Sequence, residues 1–350
     1  MISKIIPEEK IQQSKEWISE SENIVITAHT SPDGDAVGAS LALCIFLQKL
    51  GKKVSVFFPD SFPDFLRRLT CSDLTMFYTE KKDIMDKAIA EADLIFALDY
   101  NELYRIDRMA ESVKNSKARK IMIDHHLNPD GFCDLTISHP EIASTCEMIF
   151  RFICRMGYFT LLDKECAECI YVGMMTDTGN FSYNSNNPEI YTIISELIKK
   201  GIDKDELHDA VFCYNTETRL KMLGFIFDRN LKFYPEFGAA ILVLRRDEKK
   251  LFQSRKGDTE GFVNMPLSVR GMVFSIFAHE EDGYTKVSLR SRGDFHVNEI
   301  ASRYFRGGGH PNAAGGETQL SADEIIKLME ENILNEYREK LIAEKQKFTL

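Results

Sequence analysis

NIVITAHTSPDGDAVGASLALCIFLQKLG, residues 23–51, is the stretch that decides the fold. Its first seven residues, Asn23 to His29, read as a short buried strand. The apolar run after Asp35, Ala36 to Leu50 with Gly51 at its end, reads as a helix. Between them lies a strand-to-helix turn, His29-Thr-Ser-Pro-Asp33-Gly-Asp35, that carries one imidazole and two carboxylates. Pro32 and Gly34 are expected to hold it in a turn that aims Asp33 and Asp35 at neighbouring positions.

Working outward, the pattern repeats. Ala92 to Asp99 and Arg119 to Asp124 are apolar runs of the kind a parallel sheet buries on both faces, and each ends in an acid. His125 and His126 follow the second. Helices are expected around Glu141 to Gly157 and Lys164 to Met175, with Asp177 opening the loop after the latter. Open parallel sheets bind ligands at the carboxyl ends of their strands. Each acidic motif has an ordinary explanation alone: a solvated turn for Asp33-Gly34-Asp35, a helix cap for Asp99, a loop pair for His125-His126. Their joint placement at the ends of strands and helices points to one metal site.

The residue types suit a particular chemistry. Hydrolysis of a phosphodiester at neutral pH needs a deprotonated water and neutralisation of charge on phosphate oxygens, and two divalent cations about 3.5–4 Å apart supply both. A mixed set of carboxylates and imidazoles, here His29, Asp33, Asp35, Asp99, His125 and Asp177, suits manganese or a similar first-row ion.

These motifs resemble those of the DHH phosphoesterase superfamily: His29-x-x-Pro-Asp-Gly-Asp35, the acid closing Ile-Phe-Ala-Leu-Asp99, Asp124-His125-His126, and Gly173-Met-Met-Thr-Asp-Thr-Gly179. Val287-Ser-Leu-Arg290-Ser and Gly307-Gly-Gly-His310-x-x-Ala-Ala-Gly resemble the associated second domain. The resemblance covers nearly the whole chain and points to the branch of oligoribonucleases that degrade RNA of a few nucleotides and often dephosphorylate 3'-phosphoadenosine 5'-phosphate. It implies that one manganese ion takes His29, Asp33, Asp99 and Asp177 and the other Asp35, Asp99, His125 and Asp177. His126 would then lie near the substrate phosphate, with Asp124 orienting the histidine pair. Glu102 stands where the family often carries a second Asp. The same resemblance raises Arg105 from an ordinary surface arginine to a candidate substrate contact.

Composition sets limits. The chain has 350 residues, room for two domains with cores, and its 44% hydrophobic and 28% charged residues are ordinary for a soluble protein. Nothing in it reads as a signal-peptide core or membrane span, so a cytoplasmic protein without a membrane partner is expected. The eight cysteines lack a disulfide framework, and Cys166-x-x-Cys169 falls inside a helical pattern, which favours a structural role. A formal charge of -10 argues against a grip on long duplex nucleic acid and for short RNA oligonucleotides or nucleotide phosphates. Lys286 to His310 runs against that balance, with five Lys or Arg and two acids.

The expected architecture is α/β in two lobes: a parallel-sheet DHH domain over residues 1–195, a helical connector over 196–234, and a smaller α/β domain with a mixed sheet over 235–350, with the active site in the cleft between lobes. Pro188 to Gly201 and Lys204 to Asn230 carry the helical pattern of the connector. Strands are expected at Ala239–Leu244, Met272–Ala278 and Tyr284–Arg290, and a final helix from the capping box Ser321-Ala-Asp-Glu324 through Lys347. Gly307, Gly308 and Gly309 are expected to form a loop whose backbone approaches a phosphate, assisted by Arg290 and His310.

The sequence thus reads as a manganese-dependent phosphodiesterase of short oligoribonucleotides. Alternatives are a cyclic or linear dinucleotide phosphodiesterase, an exopolyphosphatase or pyrophosphatase, which would need a denser cationic pocket, and a non-catalytic nucleotide sensor, which would be expected to lack a ligand. Oligomeric state is left open, a homodimer included.

Overall fold

All the apolar runs that end in acids enter one sheet. The computed structural model describes residues 2–213, 216–254 and 257–349. Its chain divides into two units, Met1–Tyr214 and Asn215–Leu350, and the division falls inside the stretch expected to connect the lobes.

In the first unit, α1 (Glu8–Glu20), β1 (Asn23–Thr27), α2 (Gly34–Lys49), β2 (Lys53–Phe58), β3 (Thr75–Phe77) and α3 (Tyr78–Ala90) lead to β4 (Leu94–Leu98). Then come α4 (Ala110–Asn115), β5 (Arg119–Asp124), β6 (Leu135–Ser138), α5 (Thr145–Arg155), α6 (Lys164–Asp177), α7 (Pro188–Lys199) and α8 (Lys204–Phe212). The six strands are all parallel, in the order β3-β2-β1-β4-β5-β6. Alternate residues serve opposite faces. Ile24, Ile26, Phe96 and Ile123 pack under α2, α5 and α6, while Val25, Ile95, Ala97 and Met122 join the cluster with Met85 and Val113 of α3 and α4. Both faces are therefore buried, which explains why these strands read as continuous apolar runs.

Strand order reverses between β1 and β4: the chain runs outward from β1 to β3 and returns to pair β4 against β1. At such a point the connecting segments part on opposite sides, leaving a crevice at the carboxyl ends of the strands. His29 and Asp99 follow those two ends.

The second unit comprises α9 (Glu217–Arg229), β7 (Leu231–Tyr234), β8 (Ala239–Leu244), α10 (Arg246–Leu251), β9 (Phe274–Glu280), β10 (Thr285–Ser291), α11 (Asn298–Phe305), β11 (Gly308–His310), β12 (Ala313–Thr318), α12 (Ala322–Leu328), α13 (Leu334–Glu336) and α14 (Arg338–Lys347). Its mixed sheet has the order β11-β12-β10-β9-β8-β7, with β8 and β9 parallel and the other pairs antiparallel.

Several local expectations need correction. The Lys204–Asn230 pattern is two helices, α8 and α9; Tyr214 and Asn215 lie outside the described residues. The capping box at Ser321 forms, Glu324 Oε2 accepting from the Ser321 amide at 2.8 Å, but the final helix is broken. A π-helical turn at Met329–Ile333 and non-helical backbone at Tyr337 divide it, while Ile333, Leu334, Tyr337 and Leu341 all turn into the core.

Candidate metal centre

Asp33 is the N-cap of α2, its Oδ1 accepting from the amides of Asp35 and Ala36 at 3.0 Å each. That cap turns the chain sharply and delivers Asp35 into the first turn of α2, buried. Gly34 does not act as a turn glycine. It is the first residue of α2, and a Cβ there would sit 2.3 Å from Thr176 Oγ1 of α6. Gly38, one turn on, would meet the Cys169 carbonyl at 2.5 Å, and Gly173 would meet Cys146 Sγ at 2.1 Å and Asp35 Oδ1 at 3.0 Å. A glycine seam thus brings α2 and α6 together, and with them Asp35 and Asp177. Asp177 is the last residue of α6, still held by the helix, whereas the sequence reading put it in the following loop.

Around this seam the structure gathers every acidic and imidazole residue singled out in the first unit. His29 Nε2 lies 3.3 Å from Asp99 Oδ2 and 3.9 Å from Asp33 Oδ1. His125 Nε2 lies 3.5 Å from Asp99 Oδ1, 3.6 Å from Asp177 Oδ2 and 3.8 Å from Asp35 Oδ2. Asp99 therefore turns one oxygen to each group. His126 Nδ1 bonds to Asp124 Oδ1 at 2.7 Å and lies 3.7 Å from Asp99 Oδ1. Asp35, Asp99 and Asp124 form a buried floor, while the Asp33 side chain is 51% exposed and that of Asp177 25%, so the open side faces water.

Hydrogen bonds fix the rings. Nδ1 of His29 bonds to the Thr30 carbonyl at 2.7 Å and Nδ1 of His125 to the Ile142 carbonyl at 3.2 Å. A carbonyl can only accept, so Nδ1 is the protonated nitrogen and Nε2 points at the carboxylates, the tautomer a metal-binding histidine needs. Asp99 has φ of 61°, a left-handed conformation that a residue with a side chain adopts at a cost of about 1–3 kcal/mol and that concentrates at functional sites.

Protonation shows what the centre lacks. Burial, with Asp99 and Asp177 nearby, raises Asp35 well above the carboxylate range, and burial with Asp33 and Asp99 pushes Asp177 up to about 7. Burial disfavours a charged His125, but Asp177, Asp99 and Asp35 outweigh it and bring the ring up to about 9. His29 is likewise raised against its burial by Asp99 and Asp33, with the Arg105 charge opposing. Asp99 is lowered despite burial, by the His29 hydrogen bond and the charges of His126, His29 and His125. A buried set of carboxylates that must hold protons or pair with imidazolium is short of positive charge. Asp124 Oδ2 is buried with no hydrogen-bond partner among the described residues. The gaps of 3.5–3.9 Å from His29 to Asp33 and from His125 to Asp99, Asp177 and Asp35 are long for hydrogen bonds and suit atoms that could share a cation. Three of the residue groups able to hold an ion lie here: His29, Asp33 and Asp99; Asp35, His125 and Asp177; and Asp99, Asp124 and His126. The residues fit divalent metal.

Arg105, half-buried in a 3-10 segment, holds the turn after β1 through its carbonyl, which accepts from the Thr30 amide at 2.8 Å, and its charge reaches His29. In the second unit, Gly308 to His310 are not a loop but an edge strand, β11. Glycine is required there for packing: a Cβ on Gly307 would lie 1.9 Å from the Gly315 carbonyl and one on Gly309 2.6 Å from the Ala313 carbonyl, whereas one on Gly308 meets nothing within 4 Å. Arg290 of β10 and His310 of β11 flank Ala313 of β12 in register, so both emerge on one face of the sheet, roughly 9–10 Å apart, over the small residues Ala313 and Gly315. Arg290 Nη1 donates to the Leu289 carbonyl at 3.0 Å. The basic excess of Lys286 to His310 is not one patch: Arg303 pairs with Glu336, and Arg292 lies over the Phe348 ring.

Residues 23–174 match the DHH family N-terminal domain, and residues 248–335 match the DHHA1 domain. The chain is 30% identical to the bifunctional oligoribonuclease and PAP phosphatase NrnA of Thermus thermophilus, over 91% of this chain and 90% of that one. The chain belongs to the DHH family. It is 28% identical to the NrnA of Bacillus subtilis, over 89% of this chain and 94% of that one. Among solved structures it matches an exopolyphosphatase-related protein of Bacteroides fragilis with a TM-score of 0.94 at 48% identity, covering 97% of this chain and 99% of the other. RecJ of Thermus thermophilus in complex with Mn2+ shares the fold at 14% identity and a TM-score of 0.51, over 97% of this chain and 55% of RecJ.

Sequence reasoning missed one part of the DHH centre, the start of α5. The helix begins at Thr145, four residues after the expected start. Ser144 is its N-cap, accepting from the Glu147 amide at 3.1 Å. The spacing Ser144-x-x-Glu147 was the available signal.

Proposed function

We propose that this DHH protein is a phosphoesterase of short oligoribonucleotides, releasing mononucleotides, and that it also dephosphorylates 3'-phosphoadenosine 5'-phosphate to AMP. The observation that carries the reading is the Asp99 carboxylate, with one oxygen facing the His29–Asp33 group and the other facing the His125–Asp177 group. Two manganese ions would be held by His29, Asp33, Asp99 and Asp177 and by Asp35, Asp99, His125 and Asp177. When bound, such ions neutralise phosphate oxygens and lower the pKa of water. The chain's own residues complete the work. Asp124 holds His126 by Nδ1, presenting Nε2 to the scissile phosphate for charge stabilisation or proton donation. Arg105 supplies a further cation, and Arg290, His310 and Gly308 hold the remainder of the nucleotide.

The names of the Thermus and Bacillus relatives support this substrate class. Action in the cytoplasm suits eight free cysteines, and no helix among the described residues is long and apolar enough to cross a membrane. The test is purified protein with manganese, assayed on di- to pentaribonucleotides, 3'-phosphoadenosine 5'-phosphate, cyclic dinucleotides and pyrophosphate. Turnover of the first two classes is expected; turnover of pyrophosphate alone would overturn the reading.

A further inference from the structure

We propose that the first turn of α5 is a positioning element of the metal centre, and that the Thr145 hydroxyl sets the orientation of Asp99. This rests on the two-cation reading above. The Thr145 side chain is fully buried, and its Oγ1 donates to Asp99 Oδ1 at 2.8 Å. Its amide donates to Asp35 Oδ2 at 2.6 Å and the Cys146 amide to Asp35 Oδ1 at 2.8 Å. One helix end therefore holds two carboxylates that follow neighbouring parallel strands: Asp35 after β1 and Asp99 after β4.

The geometry gives this grip a consequence for metal binding. Asp99 is held in left-handed backbone at the end of β4, and its two oxygens must address two groups at once. Rotation of the carboxylate about its own bond would turn both oxygens away. A donor fixed on Oδ1 resists that rotation while occupying a single lone pair, leaving the other for an ion. The His29 nitrogen that faces Oδ2 cannot serve as the lock, since it is itself needed as a ligand. Asp35 is held the same way by backbone, one amide to each oxygen, so neither oxygen retains both lone pairs. The amides at a helix N-terminus also favour the ionised carboxylate. Hydrogen bonds of this kind to ligating groups are commonly worth 10–100-fold in metal affinity.

Thr145→Val removes the hydroxyl at nearly constant volume, and Thr145→Ser keeps the hydroxyl while losing the methyl. Manganese affinity is measured by titration calorimetry on wild type, both variants and Asp99→Asn, with the thermal midpoint of the metal-free proteins alongside. The expected result is a 10–100-fold loss of affinity in Thr145→Val, affinity in Thr145→Ser within about threefold of wild type, and midpoints of the metal-free forms that do not follow that order. Wild-type affinity in Thr145→Val, or an equal loss in Thr145→Ser, would overturn the proposal. If Thr145→Val does not fold, Thr145→Ala against Thr145→Ser carries the same comparison. Asp99→Asn separates the two readings: metal lost there and kept in Thr145→Val sinks the positioning role alone, whereas metal kept in Asp99→Asn sinks the metal centre itself.

Discussion

His29 Nε2 and Asp99 Oδ2 stand 3.3 Å apart across the point where the parallel sheet reverses its strand order. The two residues are seventy positions apart in the chain, and each follows the carboxyl end of a largely buried strand, β1 or β4. The fold supplies the crevice, and strand ends and helix ends together bring the carboxylates and imidazoles to it. Predictions about the centre follow from that division.

Asp99→Asn and Asp177→Asn should each abolish hydrolysis and lower bound manganese. Replacing one carboxylate oxygen by an amide nitrogen leaves shape intact but removes a charge and a ligand. Cys166→Ser should leave activity intact, because the Cys166 thiol lies buried against the Ala42 carbonyl, away from the ligands. Metal analysis and initial rates decide it; full activity of Asp99→Asn with added manganese would refute a shared carboxylate.

Metal affinity should rise with pH. Burial pushes Asp177 up to about 7 and the surrounding carboxylates bring His125 up to about 9, so at neutral pH protons occupy the atoms proposed to hold a cation. Binding must expel them. Manganese should bind at least about tenfold more tightly at about pH 8 than at about pH 6, and calorimetry in buffers of different ionisation heat should detect proton release. Affinity independent of pH, with no protons released, would exclude these two groups as ligands.

Short substrates should be preferred. A net charge of -10 weighs against a grip on the backbone of a long strand. Initial rates on RNA of two, five and twenty-four nucleotides, at equal concentration of ends, should fall with length. Equal or faster cleavage of the longest would favour a processive exonuclease.

Substrate contacts in the DHHA1 unit should separate from metal binding. Arg290→Ala, His310→Ala and Gly308→Val should each lower kcat/KM on a dinucleotide by about ten- to a thousandfold, with metal content unchanged and a small activated phosphodiester still cleaved. Gly307→Val is the contrast: its side chain would strike the Gly315 carbonyl, so it should unfold or melt the unit early rather than act kinetically. Loss of metal with His310→Ala would overturn the assignment.

Much of the centre was legible because its chemistry sits where local patterns end. Strands β4 and β5 run buried into acids, so Asp99 and Asp124 stand out without any knowledge of what lies beside them, and Asp35 stands out at the head of the apolar run of α2. The meaning of glycine was less legible. Gly34 was read as a turn residue and Gly307 to Gly309 as a loop, because a glycine required by a neighbour far along the chain looks the same as one required by its own backbone. The role of the first turn of α5 was hidden for a related reason: the Ser144-x-x-Glu147 spacing marks where the helix starts, but not that its amides and the Thr145 hydroxyl face Asp35 and Asp99.

The seam of Gly34, Gly38 and Gly173 bears on how this chain can vary over time. Most buried positions can change if a neighbour shrinks to make room. Here the atoms that an added methyl would meet include the Cys169 carbonyl and the Asp35 carboxylate, and neither can be made smaller by any mutation that leaves the catalyst intact. A side chain at Gly173 would strike Cys146 of α5 and the Asp35 carboxylate, so the placement of Asp35 should be lost before the protein loses its fold. Descendants of this sequence that keep the fold but abandon the chemistry should show it first at these three positions, where the ligands themselves remain unchanged.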